Sequence, residues 1–305
     1  VALDTDVMKT FCDLVETGSF SRAAEANFVS QSAVSQQLAK LERQFSTQLM
    51  DRGGGMVSPT SAGQALYKGA KDIVRRHEQL IGEIRSVADS VRGILRVGTI
   101  YSVGFYLLDP YVRTFLKRHP EVNLHVSYTN WHQIYASIIS GDMDLGVVAC
   151  GEKRRSVEII PLASEELVAV FSPDHELAER EVIDPASLSG ENFVAFEANI
   201  PTRRHIDRML KRAKIEVNIV MEFDNNELLK RAIMVGSGVG ILPRDNVERE
   251  VAYGDLACAR LAGRGNEWTR PVGIVRRRGE SLTPAGSMFL GLLRSQGSVE
   301  GLQSR

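Results

Sequence analysis

The polar residues between Ser30 and Lys40 have the types and spacing to hydrogen-bond a partner. Val34, Leu38 and Leu41 recur at helical spacing, so a helix from Gln31 to about Gln44 turns them inward. Gln31, Ser32, Ser35, Gln36, Gln37 and Lys40 are left as candidates for its outer face. Amides and hydroxyls can pair with base edges in a major groove, which admits a helix, and Lys40 and Arg52 can pair with phosphates. The plainer alternative for such a face is a solvated surface.

Other chemistry is poorly represented. Gly236-Ser237-Gly238-Val239-Gly240 has the glycine spacing of a dinucleotide loop, yet it follows a helical stretch and runs into Ile241-Leu242-Pro243, the reverse of the context a phosphate loop needs. The six histidines show no metal-ligand spacing. There is no G-x-S-x-G elbow, no P-loop and no acid/base pairing that specifies a reaction. Cys12, Cys150 and Cys258 are far apart and outside any C-x-x-C pattern, so they read as buried small hydrophobes.

The elements that would position the polar face are short helices. Val7, Met8, Phe11, Leu14 and Val15 define an amphipathic helix that stops at Thr17-Gly18. A second helix fits Ser21 to Ala26, with Ala23 and Ala24 small enough for close contact. Asn27-Phe28-Val29 turns the chain, and Ser30 caps the third helix. This is a helix-turn-helix. Asp51-Arg52-Gly53-Gly54-Gly55-Met56 suits the tip of a β-hairpin wing. Ser58-Pro59-Thr60 then restarts a helix, with proline in its first turn, that runs to about Asp89. Leu66, Ala70, Ile73, His77, Leu80, Ile84 and Val87 form a heptad seam along it, with Val74, Ile81 and Ala88 alongside, which argues for a dimerising coiled coil. His77 reads as a tolerated polar interruption rather than a pH switch.

From Arg92 the chain alternates β-rich runs with amphipathic helices. Strands are expected at 94–99, 122–128, 144–149, 166–171, 192–196, 217–223 and 271–277, and helices at 106–118, 132–140, 202–213 and 226–235. The alternation marks open α/β sheets, and the strand number suits two small lobes.

A chain of 305 residues suits about two domains, and 43% hydrophobic with 25% charged residues is ordinary for a globular protein. No apolar run approaches a membrane span and the N-terminus lacks the regions of a secretory signal, so the expected location is the cytoplasm, with no membrane partner. The formal charge is −1, and between Val1 and Ser58 five basic residues face seven acidic ones. A single copy of this segment should bind nucleic acid weakly, and several on one DNA would be needed for useful affinity.

The order Gly18-Ser19-Phe20-Ser21-Arg22-Ala23-Ala24-Glu25, Ser30-Gln31-Ser32-Ala33-Val34-Ser35-Gln36-Gln37-Leu38, Leu41-Glu42, Leu49-Met50-Asp51-Arg52 and Thr60-Ser61-Ala62-Gly63 closely resembles the start of the LysR-type transcriptional regulators. The resemblance covers essentially the whole chain. It implies an N-terminal all-α winged helix-turn-helix (1–58) and a long linker helix that dimerises (59–90). A C-terminal α/β effector domain of the two-lobed, type 2 periplasmic-binding-protein kind (91–305) follows, with lobe I at 91–162 and 267–298 and lobe II at 163–266. It implies a non-enzymatic regulator that acts as a homodimer or homotetramer, with double-stranded operator DNA, RNA polymerase and a small effector (co-inducer) as partners and no cofactor or metal. Lobe closure on the effector would reposition the lobes within the tetramer. The implied DNA contacts are Ser30, Gln31, Ser32, Ser35, Gln36, Gln37, Lys40, Arg52 and Thr60. Ser46-Thr47 stands where a glycine commonly ends the recognition helix and Met50 where phenylalanine is frequent, which alters the wing's packing rather than any DNA contact.

For the effector cleft the resemblance implies Thr99, Ile100 and Ser102 on one lobe, Ser102 preceding a helix, and Thr202 at a helix start on the other. A carboxylate or other small anion is expected between Ser102 and Thr202. Trp131 would either shrink the cleft or offer a flat face to a planar ligand. Arg203 and Arg204 add positive charge nearby or form a solvated first turn, and Asn225 could reach the cleft. Cys150 and Cys258 do not match the closely spaced pair of the peroxide-sensing relatives. Two other classes compete: a solute-binding protein, which the helix-turn-helix opposes, and a cytosolic enzyme, which lacks a convergent nucleophile and base.

Overall fold

The computed structural model describes residues 3–51, 57–86, 92–263 and 267–296. The chain divides into two compact units, Val1–Gly93 with Leu282–Pro284, and Ile94–Ser281 with Ala285–Arg305.

In the first unit, α1 (Thr5–Thr17) starts where the Asp4 carboxylate accepts from the Asp6 N–H and ends on Gly18 in the left-handed region, φ 60°. Ser19 caps α2 (Phe20–Ala26), and the Ser30 hydroxyl accepts from Ala33 N at 3.2 Å to cap α3 (Gln31–Phe45). The helices close on Phe11, Leu14, Ala23, Ala24, Val34, Leu38 and Leu41. Ser46 ends α3 with φ 50°, the conformation that a glycine would take without strain.

β1 (Met50–Asp51) and β2 (Ser58–Pro59) pair antiparallel as the base of a wing. Its glycine-rich tip, with Arg52, lies outside the described residues. Pro59 is therefore in a strand opposite Met50, not in a first helical turn, and α4 (Ser61–Ser86) begins two residues later. The extended backbone suits proline's fixed φ on a short edge strand, and Thr60 takes over as the cap, its hydroxyl accepting from Gly63 N at 3.0 Å. Gly63 lies so close to β1 that a Cβ there would sit 1.9 Å from the Leu49 carbonyl oxygen. Along α4, Ala70 is buried against Met8 and Cys12, whereas Ile73 and Leu80, seven residues apart, are each 48% exposed. Residues 87–90, the last of the expected helix, lie outside the described residues.

The second unit is α/β throughout: β3 (Gly93–Thr99), α5 (Tyr101–Val103), a π-helical turn (Gly104–Leu108), α6 (Asp109–Arg118), β4 (Val122–Tyr128), α7 (Trp131–Ser140), β5 (Leu145–Ala149), β6 (Val157–Phe171), β7 (Val182–Ile183), β8 (Asn192–Phe196), α8 (Pro201–Ala213), β9 (Asn218–Phe223), α9 (Asn226–Met234), β10 (Gly240–Pro243), α10 (Glu248–Tyr253), β11 (Ala257–Leu261), β12 (Thr269–Arg277) and α11 (Pro284–Gln296). The sheet order is β4-β3-β5-β12-β6-β11-β7, with β10 also on β6. β6 is the spine of both lobes: Val157–Glu166 pairs with β12, and Leu167–Phe171 pairs with β10 and β11. β8 and β9 form a separate parallel pair in the second lobe. One core gathers Ile134, Tyr135, Ile138, Val148 and Val275, the other Phe171, Phe193, Leu210, Ile233 and Leu242.

Candidate functional site

On α3, Gln31, Ser32, Gln36 and Lys40 are exposed and Ser35 is half-buried. Gln31, Gln36 and Lys40 make no side-chain hydrogen bond or ion pair among the described residues. The Ser30 and Ser32 hydroxyls lie 2.8 Å apart. Two members of the expected set are turned elsewhere. Gln37 stands three residues after Val34 and four before Leu41, so it falls on the inner stripe; it faces Val7, Thr10 and Leu14, and its buried Oε1 has no partner among the described residues. The half-buried Thr60 has its hydroxyl engaged, donating to Gln48 O at 2.8 Å and accepting from Gly63 N, which ties the wing to α4. Arg52 lies outside the described residues.

Three of this unit's acidic residues are committed internally. Asp13 accepts from Asn27, Glu16 from Lys71 and Tyr67, and Glu42 from the N–H groups of Leu49 and Met50 at 2.9 and 3.3 Å. The segment's excess of acids is thus partly spent on holding helices and wing together.

The second unit contains a cavity of about 760 Å³, within the range of small-molecule sites. Ile100, Tyr101 and Ser102 line it from the end of β3, Thr129 to His132 from the start of α7, Asn199 to Thr202 from the start of α8, and Asp224 to Glu227 from the start of α9. Of the expected set, Ile100, Ser102, Trp131, Thr202 and Asn225 are brought together here. Ser102 lies inside α5 rather than before it, and Thr202 inside the first turn of α8. The caps of these helices, Ile100 and Ile200, make no side-chain capping bond. Asn225, by contrast, caps α9, accepting from Leu228 N at 3.0 Å.

Thr99 and Arg203 do not line the cavity. Thr99 is fully buried, its hydroxyl donating to Val147 O at 3.1 Å, because strand alternation turns it into the sheet. Arg203 is buried beside β8 and β9, where its guanidinium donates to Asp207, Glu222 and the Phe196 carbonyl. Burial disfavours its charge, but the hydrogen bonds to Glu222 and Asp207 outweigh that and raise its pKa. The Trp131 ring is 9% exposed, stands edge-on to Tyr135, and carries the guanidinium groups of Arg154 and Arg204 at 5.5 and 5.6 Å. Trp131 thus lines the cavity with two cations beside its ring.

Sequence reasoning missed Arg270, which reaches the cavity floor although it is only 1% exposed. Its Nε donates to Glu165 Oε2 at 2.5 Å and its Nη2 to the Ser102 hydroxyl at 3.3 Å. The signal was parity: 270, 272 and 274 share the inner face of β12. Lys230 was missed too. It lies on the buried stripe of α9, four residues after Asn226 and three before Ile233, and pairs with Glu250 at 2.6 Å and Glu227 at 3.0 Å. It also donates to the Tyr106 hydroxyl at 3.1 Å, and Tyr106 in turn donates to Glu227. Tyr106 comes from the π turn of the first lobe, so this cluster joins the lobes at the cavity edge. Phe105, in the same turn, stacks on Tyr128 at 4.9 Å. The turn needs Gly104, where a Cβ would meet Tyr128 at 2.4 Å and Thr99 at 2.7 Å.

No group of His, Cys, Asp or Glu among the described residues could hold a metal ion, and no described helix is long and apolar enough to cross a membrane. Burial pushes the Cys150 thiol up to about 11 despite the nearby Arg270, and the Cys12 thiol to about 12.

Two family models match the chain: a bacterial regulatory helix-turn-helix protein of the lysR family over residues 5–64, and the LysR substrate binding domain over residues 88–298. The HTH-type transcriptional regulator CysL of Bacillus subtilis (strain 168) is 29% identical over 252 residues, covering 83% of this chain and 84% of that protein. A full-length OxyR variant from Pseudomonas aeruginosa, carrying a cysteine-to-aspartate substitution, superposes with a TM-score of 0.75 at 20% identity, over 98% and 96% of the two chains. Full-length CbnR complexed with its target DNA superposes with a TM-score of 0.64 at 21% identity, over 96% and 99%.

Proposed function

The chain belongs to the LysR family of transcriptional regulators, and on that premise we propose how its parts divide the work of a DNA-binding, effector-responsive regulator. Residues 1–58 bind operator DNA, 59–90 dimerise and 91–305 bind the effector, with lobe I at 91–162 and 267–298 and lobe II at 163–266. α3 enters the major groove with Gln31, Ser32, Ser35 and Gln36 toward base edges, flanked by Ser30, while Lys40 and Arg52 pair with phosphates. The half-exposed Ile73 and Leu80 of α4 meet a second copy, and pairs of dimers form a homotetramer.

A small anion binds in the cavity. The observation that carries this is its floor: two helix starts without side-chain caps, at Ile100 and Ile200, meet the Ser102 hydroxyl, buried Thr202 and the Arg270 guanidinium. Backbone N–H groups at helix starts favour negative charge, and Arg270 adds a fixed cation part-neutralised by Glu165. Closure of the lobes on the anion changes the spacing of DNA-binding pairs in the tetramer, and with it polymerase access, provided the effector binds the two quaternary states unequally.

Ser102→Ala combined with Thr202→Ala tests the cavity half: effector response falls while basal DNA binding stays intact, and a normal response overturns the assignment. Gln31→Ala or Gln36→Ala tests the other half. Each lost bidentate contact should reduce discrimination between operator and random DNA by about 1–3 kcal/mol, and an unchanged ratio removes that residue from base reading.

A further inference from the structure

Phe28 is the most exposed large apolar side chain among the described residues, at 97%, with Val29 beside it at 38%. It occupies the turn between α2 and α3 with φ 55°, a left-handed conformation that residues bearing a Cβ rarely adopt. Backbone hydrogen bonds hold it there: Phe28 N donates to Glu25 O at 3.2 Å and Val29 N to Ala24 O at 3.0 Å. Glycine or asparagine would suit this backbone better, and a polar side chain would suit the water around it better. One residue thus breaks two local preferences at once, and such breaks concentrate where function needs them.

The turn stands two residues before the Ser30 cap, at the end of α3 that presents Gln31 and Ser32. In helix-turn-helix docking the N-terminal residues of the second helix reach the base edges, so a side chain fixed at that end meets the groove as well. We propose that Phe28 packs on apolar atoms of duplex DNA, a thymine methyl group or a deoxyribose, when α3 docks. The inference rests on α3 being the recognition helix. A phenyl ring displaces no counterion; it contributes by removing apolar surface from water.

The test uses the full chain and a duplex that it selects from a random pool. Phe28→Ala and Phe28→Gly should each bind about ten-fold more weakly or worse, with an unchanged slope of affinity against salt. Phe28→Gly should unfold at no lower denaturant concentration than the parent, because glycine relieves the left-handed backbone. Uracil placed at each thymine in turn distinguishes the sources. A loss at a thymine position with the parent but not with Phe28→Ala identifies the methyl group, whereas no loss at any position identifies the sugar. If Phe28→Ala binds normally while Gln31→Ala is weakened, the Phe28 contact is overturned and the α3 reading stands. If neither variant is weakened, both fall. Weaker binding with a lower unfolding midpoint in both Phe28 variants also overturns the contact, since it assigns the ring a structural role.

Discussion

Replacing Arg270 by methionine isolates the charge on the cavity floor. Arg270 and Glu165 are 1% and 6% exposed, and Glu165 Oε1 already has no partner among the described residues. Methionine fills much of the guanidinium's stem volume but leaves the Glu165 carboxylate buried without a cation. Breaking a buried pair from one side costs about 3–5 kcal/mol. In a unit of roughly 200 residues that lowers Tm by about 6–20 °C, at ~2–4 °C per kcal/mol. Adding Glu165→Leu removes the stranded charge, and the double variant should return to within about 2 kcal/mol of the parent. The chain's two tryptophans, Trp131 and Trp268, both lie in the second unit, so urea unfolding followed by their fluorescence reports on that unit. The double variant should recover its fold yet lose the response to anionic effector. A single variant that loses less than about 1 kcal/mol would mean that water reaches Glu165 freely, and a double variant as unstable as the single one would refute the stranded charge as the cause.

Three further outcomes are expected. Gly63→Ala should destabilise the first unit by about 3 kcal/mol or more, seen as an earlier circular-dichroism transition and lost DNA binding, because its Cβ would collide with the Leu49 carbonyl rather than with a movable side chain. Burial, with help from Arg208, Arg212 and Arg270, lowers the His205 pKa below its ordinary 6.5, while its hydrogen bond to Thr269 O opposes the shift. A depressed histidine stabilises the fold above the unfolded pKa, and that stability declines as pH falls from about 6.5 through the folded value. His205→Gln should therefore show a smaller fall in urea midpoint than the parent between pH 7.5 and 5.5, and parallel curves would exclude His205 as the source. The three thiols are all shifted up, chiefly by burial, so thiol reagent at pH 7.5 should react slowly with native protein and rapidly with all three after unfolding. Fast native labelling of Cys150, which is half-buried, would contradict its protonated state.

The elements with a clean apolar pattern were legible in the sequence: α1, α3 and β4 follow their apolar spacing closely, and β8 its continuous apolar run. The first half of β6 was not, because Val157–Glu166 mixes carboxylates, proline and serine with half-buried apolar residues and presents no run. Pro59 misled because proline suits both a first helical turn and an edge strand, and only the pairing with Met50 distinguishes them. In the cavity, backbone position along the family's pattern located Ser102, Trp131 and Thr202, but charged residues were harder to place. Arg203 satisfies three acceptors away from the cavity, whereas Arg270, one residue before the expected strand 271–277, belongs to β12 and reaches the cavity floor. Side-chain direction in a charged network depends on partners such as Glu165 and Glu222, which are remote in sequence. Gln37 shows the same limit on α3, where one position of the helical wheel separates the outer face from the core.

The most direct measurement is a footprint of the purified full-length protein on DNA flanking its own gene, at two salt concentrations, with and without a pool of small carboxylate metabolites. Two protected half-sites whose span shortens or shifts with one metabolite fraction, and which vanish for Gln31→Ala combined with Gln36→Ala, are the predicted result. Protection no stronger than on random DNA, with or without the pool, would contradict it.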